Sequence, residues 1–153
     1  MRTTPLTPGK SRKSSGGHAI VELAVTMPML LMLLFGGGDF ARAFYAAVTV
    51  TNAAGVGAMY GTRSVGAAGD VAGITQAAQN DAQNLIGMTV TTTKYCQCPD
   101  GSPIACTATS CVGNTKSLLY CSVTAQYSFR TMAPYPGIPS TVLIAKRVIM
   151  RAR

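Results

Sequence analysis

The chain has 153 residues, room for one small domain and not two. Only 12% are charged, about half the share of a soluble domain, while 48% are hydrophobic. Thirteen basic residues against five acidic give a net charge of +8, and the single histidine, His18, excludes a two-histidine metal site or acid–base pair within one chain. This composition favours a membrane-associated or assembly protein over a catalyst.

Residues 1–17 read MRTTPLTPGKSRKSSGG. They hold Arg2, Lys10, Arg12 and Lys13, two prolines and no acid, which predicts a flexible basic leader. From Ala19 to Gly38 the chain reads AIVELAVTMPMLLMLLFGGG, 20 residues with one charge, Glu22. A helix of that length rises about 30 Å, the thickness of a bilayer's hydrocarbon core. Residues 19–38 are therefore predicted to span a membrane. The alternative, a buried core helix, requires a small domain to hide an unusually continuous apolar run. Pro28 removes one helical hydrogen bond, which membrane helices tolerate with a modest kink. All four leader charges precede the span, and only Asp39 and Arg42 follow it closely. That asymmetry predicts a cytoplasmic N-terminus and an extracytoplasmic C-terminal part.

Gly36-Gly37-Gly38 imitates the small-residue cleavage site of a secretory signal. Two features oppose that assignment: the acid inside the apolar run, and a Gly-Gly pair placed before the run instead of after it. Glu22 lies five residues after Gly17. A carboxylate at that depth costs on the order of a few kcal/mol unless it is paired or reaches the headgroups. Cleavage after Gly17 makes His18 the first residue and frees an α-ammonium group. That cation can pair with Glu22 of a neighbouring helix and so set the axial register between subunits. The simpler role for Glu22 is an acid favoured by the helix dipole.

Residues 39–62 continue the helix, with Phe40, Phe44, Val48 and Ala54 to Ala58 recurring at three- or four-residue spacing. Asp39 and Arg42, three apart, can pair on an exposed face. Gly57 and Gly61 form a small-xxx-small spacing that admits another backbone closely. Gly66 to Gly69 form a turn, and Asp70 can cap a second helix over 71–86 that ends at Gly87. Its apolar face comprises Val71, Ile74, Ala78, Ala82, Leu85 and Ile86. Three strands are predicted at Met88–Tyr95, Leu119–Phe129 and Val142–Arg151, with Pro134, Pro136 and Pro139 in the last loop. The chain thus divides into a leader at 1–17, a long helix at 18–62 and an outer α+β domain at 63–153, a helix on a short antiparallel sheet.

Cys96, Cys98, Cys106, Cys111 and Cys121 all fall in the outer domain. In an oxidising compartment they predict disulfides that staple an otherwise loose loop, with the connectivity open and at least one thiol left over, available to link two subunits. Their spacing lacks the paired knuckles of a zinc site, and no haem or redox C-x-x-C motif occurs.

The order of elements carries a resemblance. Gly17-His18-Ala19-Ile20-Val21-Glu22-Leu23-Ala24 is followed by Pro28, a Leu/Met run, Gly36-Gly37, Asp39-Phe40-Ala41-Arg42, and then Asn52-Ala53-Ala54-Gly55-Val56-Gly57-Ala58-Met59-Tyr60-Gly61. This resembles the TadE-like family, minor pseudopilins of the tight-adherence (Tad/Flp) pilus assembly system. The likeness is close over residues 17 to about 61 and loose beyond. Leu23 stands where the family favours Phe, and Gly55-Val56 replace a usual Arg-Glu pair. The resemblance implies cleavage between Gly17 and His18 by a prepilin peptidase, insertion into the cytoplasmic membrane, a register role for Glu22, and other pilins, pseudopilins and pilus assembly proteins as partners. It implies no catalytic residue and no cofactor.

Nucleic acid is a poor match for the charge: without the leader, nine basic residues face five acidic ones, scattered save for Lys146, Arg147, Arg151 and Arg153 near the C-terminus, and without a groove-reading motif. The isolated acids and the lack of a phosphate-cradling motif oppose a catalyst. The competing function is a secreted or single-pass, disulfide-stapled domain with no pilus role.

Overall fold

The computed structural model describes residues 16–108, 111, 113 and 115–152; most of the expected basic leader lies outside them. The elements in order are α1 (Gly16–Gly61), a short 3-10 turn (Ala67–Gly69), α2 (Val71–Asp81), β1 (Thr89–Gln97), β2 (Pro103–Ile104), β3 (Leu118–Arg130) and β4 (Thr141–Arg151). The fold is α+β: a long apolar helix, then a small domain with one helix and a four-stranded antiparallel sheet in the order β2-β1-β3-β4. The chain divides into two compact units between Gly37 and Gly38.

In the first unit every residue from Gly17 to Phe35 is exposed, with Pro28 inside the helix. No other element of that unit is present among the described residues to cover it.

The second unit combines the later part of α1 with α2 and the sheet. β3 supplies the sheet's inner face through alternate residues, with Cys121, Val123, Ala125 and Phe129 all buried. Register places Val123 between Thr92 and Val148, and Ala125 opposite Val90. Against this face α1 presents Ala46, Val50, Ala53, Ala54 and Ala58, and α2 presents Ile74 and Ala78. Small side chains let the elements approach closely. A Cβ on Gly57 would lie 3.2 Å from Ala78 Cβ and 3.3 Å from Val123 Cγ1, and one on Gly61 would lie 2.6 Å from Cys121 Sγ. The Gly57/Gly61 spacing, expected to admit another backbone, is thus used inside the chain.

β3 runs antiparallel to α1. Cys121 meets Gly61, Val123 meets Gly57, Arg42 lies over Phe129, and Met132 is bound to Asp39. From Gly61 back to Asp39 the helix covers about 33 Å. From Cys121 forward to Met132 the extended chain covers about 36 Å. The two lengths match, so the β3–β4 loop lies at the end of the unit where the chain enters from the apolar segment. The cysteine-bearing connection lies at the other end, since Cys96 pairs in register with Leu119.

α2 begins as expected: Asp70 Oδ1 accepts the Gly73 N–H at 2.9 Å, and its Oδ2 accepts the Tyr60 hydroxyl at 2.8 Å, which ties the cap to α1. The helix stops at Asp81, short of the predicted residue 86. Asn80, Asp81 and Asn84 are poor helix formers, and tight turns with Leu85 N–H on Ala82 and Met88 N–H on Leu85 follow instead. These turns direct Leu85 and Met88 into the core and leave Ile86 outside, 90% exposed. Val71, also assigned to the apolar face, is exposed. The strands fall where the β-branched runs put them. β2 adds a two-residue fourth strand, formed where Gly101, at φ +87°, closes the tight turn after β1.

Candidate functional site

Gly17, His18 and Glu22 all lie on the first turns of α1 and are exposed. His18 and Glu22 are one turn apart, on the same side of the helix. The backbone oxygen of Glu22 accepts the Thr26 hydroxyl at 2.9 Å, while its carboxylate has no hydrogen bond or ion pair among the described residues. The helix that carries it is long and apolar enough to cross a membrane, and its most apolar window has no part buried inside the molecule.

At the start of the second unit the expected Asp39–Arg42 pair is present, at 2.8 Å. Its setting differs from the exposed one expected. Asp39 is only 5% exposed, and its Oδ2 accepts the Met132 N–H at 2.7 Å and the Tyr135 hydroxyl at 3.0 Å. Burial pushes this carboxyl up, but the Met132 N–H, the Tyr135 hydroxyl and the Arg42 guanidinium together outweigh it and hold the group below its ordinary value. Burial first, and then Asp39, raises the Tyr135 hydroxyl. Arg42 also lies 5.3 Å from the centre of the Phe129 ring. Sequence reasoning missed this node because its partners lie more than ninety residues away. The one available signal was an acid placed directly after an apolar run, in a chain with few acids.

Four cysteines form two bridges, Cys96–Cys106 and Cys98–Cys111, which fasten β1 to the connection that follows it. Cys121 is a free thiol. It sits fully buried behind Gly61, and burial raises its pKa despite a hydrogen bond with Thr92. The leftover thiol is therefore not presented to a second subunit.

The segment that holds these features, from Gly17 through the packed half of α1, decides the family comparison. Residues 17–59 match the family model of the TadE-like proteins. The matched TadE-like segment covers Gly17, Glu22, Asp39 and Gly57 together. No curated protein and no solved structure matches the chain. The TadE-like family is a structural family associated with the Tad pilus. One long apolar N-terminal helix is consistent with single-pass membrane anchoring.

Proposed function

We propose that this chain is a non-enzymatic minor pseudopilin of a tight-adherence pilus, trimmed by a prepilin peptidase between Gly17 and His18. The cytoplasmic membrane holds it by residues 19–38, with its N-terminus in the cytoplasm and the cysteine-containing domain outside. Cleavage gives His18 an α-ammonium group, and Glu22 of a sister helix accepts it, so that apolar helices dock in one axial register. The observation that carries this is the solitary Glu22: an exposed carboxylate, unpartnered among the described residues, on an apolar helix and five residues after Gly17. An unpaired acid at that depth is costly in lipid, and pairing between subunits relieves the cost.

Three further features support the reading. The leader's four positive charges precede the span. Disulfides suit an oxidising compartment. The match to the family model begins at Gly17, beside the proposed cleavage site.

N-terminal sequencing of the membrane-extracted protein is the direct test. A mature chain beginning at His18 supports processing, and Gly17→Ala should abolish it. A chain beginning just after Gly36–Gly38 indicates ordinary secretion, and one beginning at Met1 indicates a plain signal anchor; both refute the proposal. Glu22→Ala should leave the protein in the membrane and abolish pilus assembly. Normal pili in that variant would refute the register role.

A further inference from the structure

The loop between β3 and β4 sits at the end of its unit where the chain arrives from the apolar segment. Two bonds to Asp39 fix it there, from the Met132 N–H and the Tyr135 hydroxyl. Asp39 directly follows the last residue of the apolar run, Gly38. Residues 131–145 contain no charged side chain, although the domain around them is basic. Three prolines stiffen the loop. Its large apolar side chains point outward: Met132 is 63% exposed and Ile138 55%, and Leu143 at the start of β4 is 61% exposed. Ile86, 90% exposed, follows Leu85, which lines a groove with Arg42 and Tyr45 at the same end. At the opposite end Met59, Val65 and Val71 are exposed near Arg63. Among its described residues the cysteine-bearing connection exposes no large hydrophobic side chain.

We infer that the β3–β4 loop is an interfacial membrane anchor, seated at the boundary of headgroups and acyl chains, which clamps the domain to the lipid surface at the point where α1 leaves the bilayer. This rests on the reading of residues 19–38 as a membrane span. The occupant is lipid because of depth and chemistry. A loop hydrogen-bonded to the first residue after a span lies at headgroup level. There an uncharged surface of Met and Ile with a tyrosine finds the mixed environment that such side chains favour. Arg130, exposed at the end of β3, is positioned to meet lipid phosphates. The two hydrogen bonds to Asp39 hold the loop at the start of its unit, next to the last residue of the apolar run.

The chain has no tryptophan, so single tryptophans report depth without background. The test uses the full chain in vesicles of phosphatidylcholine and phosphatidylglycerol, with bromine placed at shallow or deep acyl positions. Ile138→Trp and, as a second reporter, Met132→Trp should be quenched several-fold more by shallow than by deep bromines, with blue-shifted emission. Thr107→Trp, at the opposite end, should be quenched by neither. Leu31→Trp, inside the apolar run, should be quenched best by deep bromines. If Leu31→Trp is quenched as expected while both loop reporters behave like Thr107→Trp, the anchor is refuted and the span stands. Blue-shifted but unquenched loop reporters would mean that protein, a sister chain, covers the loop, and would likewise overturn the proposal. An unquenched Leu31→Trp would overturn the span and the anchor together.

Discussion

Gly61→Ala should destabilise the outer unit, while Gly55→Ala, six residues earlier on the same helix, should stabilise it. The methyl group that the first substitution adds meets Cys121 Sγ at 2.6 Å and both Cys121 Cβ and Ile74 Cδ1 at 3.3 Å. Cys121 and Ile74 are fully buried, so neither can retreat into solvent. Overpacking of this kind costs about 1–3 kcal/mol. The helix-propensity gain of alanine over glycine is about 0.5–1 kcal/mol, and it is reduced at the last residue of α1. The net loss is about 1–2 kcal/mol, a fall in Tm of about 4–10 °C for a unit of this size. At Gly55 an added Cβ meets nothing within 4 Å, so only the propensity gain remains, and Tm should rise by about 2–6 °C. Near-ultraviolet circular dichroism of the full chain in detergent reads these transitions. Combining Gly61→Ala with Cys121→Ala removes the sulfur that clashes, and the pair should show a favourable coupling of about 1 kcal/mol. If Gly61→Ala melts at or above the wild-type temperature, or if the coupling is near zero, the close helix–strand packing described above is wrong.

Three further outcomes are expected. Asp39's carboxyl is held below its ordinary value of about 4. Its stabilising contribution is therefore complete above that pH and is lost as the pH falls through the lowered value, so Tm should drop on acidification, and less steeply in Asp39→Asn; equal slopes in a pH series of melting curves would refute the buried tie to Met132 and Tyr135. Removing the Cys98–Cys111 bridge, which closes a separation of 13 residues, by substituting both cysteines with alanine should cost about 3 kcal/mol, read as a lower urea midpoint; an unchanged midpoint would show that the staple is not formed or does not constrain the loop. Cys121 should resist maleimide labelling until the domain is unfolded, because its thiol is buried and its pKa is raised; prompt labelling of the native chain, followed by mass spectrometry, would place that strand face in solvent.

The elements that the sequence specified locally were legible in it. An apolar run of 20 residues, an aspartate before a helical period and three β-branched runs each act over a few neighbours, so α1, the Asp70 cap and β1, β3 and β4 could be located in advance. What could not be read depends on contacts between distant segments. The end of α2 is set by whether Leu85 or Ile86 finds the core, and helical periodicity assigned both to the same face. Gly57 and Gly61 look the same in sequence whether they face α2 and β3 or a second chain; the inner face of β3 decides it. Asp39 appeared as half of a local ion pair because its partners on the β3–β4 loop are specified only once the sheet runs back along the helix. At the N-terminal segment the residue types were plain, Gly17, His18 and Glu22, but their partners in the proposed role belong to other molecules.

The distribution of side-chain size along the second half of α1 links the fold to the proposed assembly. A helix in an ordinary soluble domain buries its largest apolar residues and exposes polar ones. Here the buried positions after Asp39 are mostly small, Ala46, Ala53, Ala54, Gly57, Ala58 and Gly61 with Thr49 and a single larger aliphatic, Val50, whereas Phe40, Phe44 and Val48 stay exposed. A fully buried Phe contributes roughly 1.5–3 kcal/mol relative to an exposed one, so as an isolated domain this unit forgoes several kcal/mol. Lipid cannot recover all of it. The span predicted at 19–38 already matches a hydrocarbon core of about 30 Å, and Val48 lies about 15 Å further along the helix. Under the proposed assembly, apolar surface that outruns the bilayer on an exposed helix face would be covered by a sister helix. A plain signal anchor leaves that stripe in water, whereas the proposed pseudopilin, packing its helix beside sister helices in the register proposed for Glu22, would cover it.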